Sequence, residues 1–305
     1  MSQNVNFSPI RNPANPERVF VYRVAPTVQT LGYDQRTVGK GAANPRWNKD
    51  PTKLPSTRLL AASNIVTLNF DDVVHVYGVA QTSTLVSLLS PFTEVVGAET
   101  KAPHGALAGC AVTEGDAVQA WLAYQGSDGA KEPLMWTDVT DADAQDKPST
   151  AKYPMSGTAL SVFHDTKRYW LIYQNDDGKL VAQNEKDQIG SEIHGEKSNF
   201  IEKTPIGTCF IPGYKEGTLG RAIVYWVRLT NQANVLYRSH ADITDAKTAT
   251  WSDPKPATSA GQTVQPLAQI GVITENKTKS NWVYVAKEGK DNITAVSDPW
   301  QAKEE

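Results

Sequence analysis

The chain alternates short apolar segments with polar turns, and its pattern has a period of two residues. No stretch sustains a helical period long enough to predict a helix, whereas strand-like alternation recurs throughout. Aromatic-rich segments recur at intervals of roughly 50 residues. These segments are VFVYRV (19–24), VVHVYGV (73–79), VQAWLAYQ (118–125), RYWLIYQ (168–174), AIVYWVR (222–228) and NWVYVAK (281–287). We therefore predict an all-β protein made of six repeated units.

Each unit has the same neighbours along the chain. A segment of small apolar residues comes before most aromatic segments, as in ALAGCAV (106–112) and TALSVFH (158–164). A polar turn and another short strand follow, as in KLVAQNE (179–185). Six such units are typical of a β-propeller, whose inner strands crowd the axis and whose second strands bury large side chains between blades. The alternative, a generic β-sandwich, does not explain the even spacing.

The repeat predicts a single six-bladed domain over residues 1–305. Its blades cover roughly 1–55, 56–104, 105–153, 154–202, 203–262 and 263–305. The segment VNFSPIR near the start either supplies the first inner strand or pairs with the last blade. The sequence does not choose between these two ways of closing the ring.

Two segments share the pattern W-L-x-Y-Q followed by a turn with Asp-Gly. They are WLAYQGSDG (121–129) and WLIYQNDDGKL (170–180), and WVYVAKEGKDNI (282–293) is a weaker match. With the Ala-rich segment before them, these blades resemble the fungal fucose-specific lectins over essentially the whole chain. The resemblance implies a six-bladed propeller with sugar sites between its blades.

In those lectins an Arg opens the second strand and a Glu on the third strand joins it in binding sugar hydroxyls, while aromatics cover the apolar face of the sugar. We carried the two positions over blade by blade. From blade one to blade six they hold Phe20 and Gly32 (Arg18 and Thr30 in a second register), His75 and Ser87, Trp121 and Trp136, Trp170 and Ala182, Ala222 and Tyr237, and Trp282 and Ala295.

No blade keeps the Arg–Glu pair in the preferred register. A buried sugar hydroxyl without a partner costs about 1–3 kcal/mol, so the resemblance does not extend to fucose binding in the family's manner. Trp121, Trp170 and Trp282 are either packing between blades or walls of an apolar ligand site, two alternatives that the sequence leaves open.

The sequence shows no catalytic or metal-binding motif. Its five histidines lack metal-ligand spacing, no G-x-S-x-G is present, and we expect neither metal nor cofactor. The net charge of −3 and the lack of a basic patch argue against nucleic acid. The apolar runs are too short to span a membrane, and no signal pattern precedes them, so we expect a cytoplasmic protein. The oligomeric state, including a homo-oligomer, stays open.

A second resemblance points to an activity. In its length, its blades and its emptied sugar sites, the chain is similar to the fungal hetero-Diels–Alderases of tropolone–sesquiterpenoid biosynthesis. That similarity implies a pericyclase joining an o-quinone methide to a humulene-type alkene by [4+2] cycloaddition, without metal or cofactor. Its substrates are small and apolar, derived from a terpenoid and a polyketide. Holding two partners in a reactive pose supplies up to about 7–11 kcal/mol.

Position alone suggests residues for this activity. His75 and Tyr237 are the candidate catalytic hydrogen-bond donors. The candidate substrate-binding residues are Phe20, Trp121, Trp170, Trp282, Arg168 and Arg221. The ligand lies either between blades or over the central channel. The alternative function is a lectin-like carbohydrate-binding propeller with altered or lost fucose specificity. We favour the enzyme at this stage, because aromatic rather than polar residues replace the sugar-binding pair.

Overall fold

The computed structural model describes the chain in fifteen segments. They are residues 5–24, 29, 31–38, 58–61, 63–81, 85–91, 94–100, 105–114, 117–126, 132–141, 144–193, 201–231, 233–257, 263–288 and 292–300. Within them the strands form six antiparallel sheets, each made of strands that follow one another in the chain. Thr30, from the second register for blade one, lies outside the described residues.

The first three sheets take up the N-terminal half of the chain. Blade one contains β1 (Phe7–Asn12), β2 (Asn15–Val24) and β3 (Leu31–Thr37). Blade two contains β4 (Val66–Phe70), β5 (Val73–Val79), β6 (Leu85–Ser90) and β7 (Glu94–Glu99). Blade three contains β8 (Leu107–Glu114), β9 (Ala117–Gln125), β10 (Leu134–Asp138) and β11 (Lys147–Pro148).

The other three sheets follow the same order. Blade four contains β12 (Ser161–His164), β13 (Tyr169–Gln174), β14 (Leu180–Asn184) and β15 (Ile189–Ile193). Blade five contains β16 (Ile206–Pro212), β17 (Gly220–Thr230), β18 (Ala233–Ile243) and β19 (Lys255–Pro256). Blade six contains β20 (Gly271–Glu275), β21 (Ser280–Ala286) and β22 (Ile293–Pro299). The boundaries between blades lie in loops. The exact blade ranges predicted from the sequence remain predictions.

The first strand of each blade lines a central channel. These inner strands contact one another in the order β1, β4, β8, β12, β16 and β20, and β20 contacts β1 again. The ring is therefore closed, and the predicted six-bladed β-propeller is confirmed. β1 pairs with β2 in blade one and lies beside blade six, which decides between the two alternatives for VNFSPIR.

The hydrophobic core is divided among the six interfaces between neighbouring blades. Each interface holds one cluster of buried apolar side chains, contributed by two consecutive blades or by blades six and one. Because successive residues of a strand point to opposite faces, a second strand supplies two interfaces at once. Tyr173 packs towards blade three, and its neighbour Ile172 packs towards blade five. This explains the nearly continuous apolar runs of the second strands.

The repeated W-L-x-Y-Q pattern has a structural reason in its last residue. The buried Gln125 amide lies at the end of β9, where its Nε2 donates to the carbonyls of Glu132 (3.2 Å) and Met155 (3.3 Å). Its Oε1 accepts a hydrogen bond from the Gly157 amide at 2.8 Å. The glutamine of blade three thus binds the segment that leads into blade four.

Gln174 makes the equivalent contacts one blade later. Its Nε2 donates to the carbonyls of Gly178 (3.0 Å) and Ile201 (3.4 Å), and its Oε1 accepts from the Lys203 amide at 2.8 Å. Only 1% of Gln174 is exposed, so water cannot replace these bonds. The motif therefore fastens blade four to the segment that leads into blade five.

Candidate functional site

The eight residues proposed from the sequence do not converge on one site. Phe20 lies between blades one and two, His75 between two and three, Trp121 between three and four, Trp170, Arg168 and Tyr237 between four and five, Arg221 between five and six, and Trp282 between six and one. The proposed donors His75 and Tyr237 are therefore separated by blade three and blade four.

The strand register corrects three of the six carried-over pairs. Tyr124 and Tyr173 face the preceding blade, whereas the tyrosines of the other four segments face the following blade. The carried-over second-strand residue is off by one in blade five, and the third-strand residue is off by one in blades one, two and five, which moves each side chain to the other face. The pairs that face the following blade are Phe20 and Tyr33, His75 and Leu88, Trp121 and Trp136, Trp170 and Ala182, Ile223 and Arg238, and Trp282 and Ala295.

Gly32, Ser87, Ala222 and Tyr237 are thus not the residues at the family's two positions. Ala222 and Tyr237 pack in the interface with blade four, where the Tyr237 hydroxyl accepts from Thr230 at 3.4 Å. The guanidinium of Arg228 lies over the Tyr237 ring at 5.2 Å. Tyr237 is a partly buried packing residue in this position.

His75 stacks on a neighbouring aromatic ring. Its imidazole lies parallel to Phe70, with ring centroids 3.8 Å apart, and its Nδ1 is 3.2 Å from the Val73 carbonyl. Burial lowers the pKa of His75 from its ordinary value, against the opposing effect of that carbonyl. A neutral imidazole that donates to its own strand is a weak candidate for polarising a substrate.

The interface between blades four and five is filled. Trp170 is fully buried and stacks near Phe163, which in turn stacks on Phe210 of blade five. The Nε1 of Trp170 donates to Oδ2 of the buried Asp165 at 2.7 Å. This environment favours packing over the ligand-wall alternative for Trp170.

Arg168 bridges the two blades at the same interface. Its Nε donates to Asp165 Oδ2 at 2.9 Å, and its two Nη atoms donate to the carbonyls of Thr244 (2.6 Å) and Ala246 (2.8 Å) in blade five. The guanidinium is committed to the protein and joins two blades, so it is not placed to bind a substrate.

Trp121 belongs to an aromatic cluster between blades three and four. Its ring lies 6.5 Å from Trp136 and 5.9 Å from Tyr169, and the Lys147 ammonium lies 5.5 Å above it. Trp121 and Tyr169 are partly exposed, whereas Trp136 is buried. This is the more open of the two interfaces in which the W-L-x-Y-Q tryptophans lie.

The interface between blades five and six holds a polar network that the sequence analysis missed. Asp298 accepts from the Tyr225 hydroxyl at 2.7 Å and lies 3.3 Å from the Arg238 Nε. The Asn281 amide donates to the Tyr225 hydroxyl at 2.9 Å and its carbonyl accepts from Trp300 at 3.1 Å. All of these residues except Trp300 are buried, so the network holds the two blades together.

Arg221 lies at the outer edge of that interface. It binds Asp242 through Nε (2.6 Å) and Nη2 (3.1 Å), and its guanidinium stacks 4.0 Å from the centre of the Tyr214 ring. Although partial burial opposes it, this pairing holds the pKa of Asp242 below its ordinary value. Arg221 is thus already paired with a carboxylate of its own blade.

An open pocket of about 290 Å³ lies between blades six and one. Trp282 forms one side, together with Val38 and the ring of Pro16. Polar atoms come from both blades and surround this apolar side. They belong to Arg11, Glu17, Thr37, Glu275, Lys277 and Thr278. Trp282 is the one residue proposed from the sequence that lines this pocket.

An ion pair crosses the pocket from one blade to the other. Arg11, at the end of β1, donates through Nη2 to Glu275 Oε2 (2.9 Å) and to the Thr274 carbonyl (2.7 Å), and through Nη1 to the Pro16 carbonyl (2.6 Å). Glu275 Oε1 accepts from the Lys277 amide at 3.1 Å. Each carboxylate oxygen has a further lone pair, so Glu275 is able to accept hydrogen bonds from a ligand.

The ion pair makes a prediction for the pH dependence of stability. Burial raises the pKa of Glu275, but the hydrogen bond from Arg11 and the Lys277 amide outweigh it and hold the pKa below the ordinary 4.5. A depressed pKa contributes stability above the unfolded-state value, and this is lost as the pH falls through the folded-state value. We expect the Tm difference between the wild type and Glu275→Gln to be constant above pH 4.5 and to vanish in stronger acid.

Thermal melts of both proteins across the acid range measure this difference. A difference that persists unchanged at the lowest pH would mean that the charge of Glu275 contributes nothing. Glu192→Gln is the matched control, since Glu192 pairs with Lys179 at 2.9 Å on the exposed surface of blade four. We expect its effect on Tm to be small at every pH, because exposed ion pairs contribute little.

The central channel is narrow and polar. It encloses about 150 Å³, and the hydroxyls of Ser8 and Thr67 (2.8 Å) and of Ser161 and Thr208 (2.7 Å) bond to one another across neighbouring inner strands. Among the described residues, no group of three or more His, Cys, Asp or Glu side chains could hold a metal ion. No helix in the described segments is long and apolar enough to cross a membrane.

Comparison with known proteins places the fold. No protein-family model and no curated protein matches the chain. Among solved structures, SapL1 lectin in complex with α-methyl fucoside matches with a TM-score of 0.66 at 13% identity, over 99% of this chain and 94% of that one. A mutant Aleuria aurantia lectin in complex with Fucα1-6GlcNAc gives 0.64 at 14% identity, over 98% of both chains. Trypanosoma rangeli sialidase gives 0.58 at 9% identity, over 97% of this chain and 55% of that one. The fold is that of the fungal fucose-specific lectin propellers.

Proposed function

We propose that this lectin-like propeller is a carbohydrate-binding protein whose sugar site is the pocket between blades six and one. The observation that carries the proposal is the Arg11–Glu275 ion pair beside the Trp282 ring in an open pocket. Arg11 uses three of its five N–H groups within the protein but is 31% exposed, so two remain to donate to a ligand. The carboxylate accepts and the indole covers an apolar face, and together these are the three contacts that a sugar ring needs. The sugar-binding neighbours in the fold comparison support the same class of ligand.

The size and charge of the pocket define the ligand further. Ligand pockets commonly span about 300–1,000 Å³, so this one suits a single sugar residue at the lower end of that range. Its charges balance, with Arg11 and Lys277 against Glu17 and Glu275. These properties favour a neutral monosaccharide unit at the end of a glycan.

Titration of the purified protein with a panel of methyl glycosides tests the proposal. The panel contains methyl α-L-fucoside, methyl α-D-mannoside, methyl β-D-galactoside and methyl N-acetyl-β-D-glucosaminide. We expect at least one to bind, and Trp282→Leu to weaken it by about tenfold or more because the ring contributes buried apolar area. We expect Glu275→Gln to cost about 10- to 100-fold, since hydrogen bonds to charged groups are worth roughly 1.5–3 kcal/mol.

Trp121→Leu is the matched control for the tryptophan, and Glu192→Gln is the control for the carboxylate. Trp121 is also a partly exposed tryptophan between two blades, but it lies between blades three and four. Equal losses in Trp121→Leu and Trp282→Leu would place the site elsewhere. Absence of binding to the whole panel would contradict the carbohydrate-binding function.

The cycloaddition activity stays a prediction from the sequence. The apolar side of the pocket, formed by Trp282 and Val38, is the feature that supports an apolar ligand. Humulene-type terpene alcohols and tropolones therefore belong in the same titration. Stabilisation by these compounds and not by the glycosides would favour the pericyclase and call for an assay of the cycloadduct and its enantiomeric excess.

A further inference from the structure

We propose that a ligand bound in the pocket between blades six and one acts as a clasp for the propeller ring, meaning that it holds these two blades together and keeps the ring closed. This inference rests on the carbohydrate-binding function proposed above. It follows from the position of the pocket in the ring, at the interface whose two blades are not consecutive in the chain. A chain segment leads from each other blade into the next, so those neighbours are joined covalently as well as by packing. Blades six and one have no such connection and are held by side-chain contacts and by the backbone hydrogen bond from the Gln269 amide to the Val5 carbonyl (3.1 Å).

Gln269 forms a polar link across the interface between blades six and one, which we call the seam, on the side of the central channel. It precedes β20 in blade six, and its Oε1 accepts from the amides of Phe7 (3.2 Å) and Ile65 (3.0 Å). Its Nε2 donates to the Ile65 carbonyl at 2.7 Å. One side chain thus binds blade six to the inner strand of blade one and to the start of blade two.

Two arginines also link the two blades. Arg11 of blade one binds Glu275 and the Thr274 carbonyl of blade six. Arg36 of blade one is held by Asp34 through two 2.8 Å bonds, and its Nη1 donates to the Ile293 carbonyl of blade six at 2.8 Å. The two blades also share an apolar cluster at this interface.

The pocket is built from both sides of the seam. Arg11, Glu17 and Val38 come from blade one, and Glu275, Lys277 and Trp282 come from blade six. A ligand that fills the pocket contacts both blades and loses half of its contacts when they separate. Binding to the closed form alone therefore shifts the equilibrium against opening of the seam.

Hydrogen exchange of the full chain, read by mass spectrometry, tests the clasp. The probes are the same four methyl glycosides, each at saturation. We expect a glycoside that binds to slow exchange by about tenfold or more in β1, β2, β20 and β21, and by less than about twofold in β13 and β14. Binding that depends on Trp282 but protects all six blades equally would overturn the clasp and leave the sugar site standing. Absence of binding to every glycoside would overturn the function and the clasp together.

A pair of variants tests the seam without ligand. Gln269→Leu should speed exchange in β1 and β20 by about tenfold before any change in β13, because it removes hydrogen bonds that link blade six to blades one and two. Gln125→Leu removes a similar amide between blades three and four, and we expect it to leave the local exchange of β1 unchanged. Uniform acceleration of all blades in Gln269→Leu would mean that the seam does not open on its own, and it would overturn the inference.

Discussion

Replacing Asp165 by Ala should lower the free energy of unfolding by about 3–5 kcal/mol, the usual cost of removing one partner of a buried ion pair. Asp165 is fully buried, and its carboxylate accepts from the Arg168 amide (2.8 Å), the Arg168 Nε (2.9 Å) and the Trp170 Nε1 (2.7 Å). Arg168 is only 5% exposed, and its other carboxylate partner, Asp187, is 3.8 Å away, so the variant leaves a poorly compensated charge in the interface between blades four and five. Urea denaturation followed by tryptophan fluorescence measures the change.

Asp245→Ala is the control for this experiment. Asp245 pairs with Lys167, the neighbour of Arg168, but its side chain is 74% exposed. We expect a loss below about 1 kcal/mol, as is usual for surface ion pairs. Equal effects of the two substitutions would refute the account of Arg168 as a buried link between blades.

The second large effect is expected for Gln174→Leu, which should cost about 3 kcal/mol or more. The substitution removes the partner of the Lys203 amide and of the Gly178 carbonyl, whereas the Ile201 carbonyl still accepts from the Thr204 amide at 3.0 Å. Each buried polar group that loses its partner costs roughly 1–3 kcal/mol. Leucine has nearly the same length, so the loss reports hydrogen bonds rather than a cavity. Chemical denaturation with an unchanged m-value is the measurement.

Gln119→Leu serves as the matched control for Gln174→Leu. Gln119 is exposed on β9 and accepts from the Tyr169 hydroxyl at 3.3 Å. We expect a change within about 0.5 kcal/mol, since surface substitutions rarely exceed that. A neutral Gln174→Leu would show that the glutamine of the W-L-x-Y-Q segment has no role in joining blades.

The predicted site depended on an alignment that the strand register does not support in every blade. Tyr225 and Tyr173 look equivalent in sequence, yet one faces blade six and the other faces blade three. The one-residue offset hid Arg238 and its buried partner Asp298. A warning was present in the sequence, because AIVYWVR places Trp226 beside Tyr225 and so leaves two candidates for one position.

The fold was predictable because it rests on local patterns. A second strand buried on both faces needs an unbroken apolar run with large aromatics, and an inner strand beside the axis needs small residues. Both requirements act on consecutive residues and recur six times, so they are legible in the chain as a period. The architecture, the order of the strands and the crowding of the channel were determined by the sequence alone.

The pocket was decided by tertiary structure. Arg11 and Glu275 are 264 positions apart and meet only because β1 closes the ring beside blade six. Likewise Trp170 and Trp282 look alike in sequence, but Phe163 and Phe210 fill the space around one and a 290 Å³ pocket remains beside the other. Periodicity reports which face of a strand is buried; which side chains meet across a face depends on how two distant segments pack, and only the closed ring sets that.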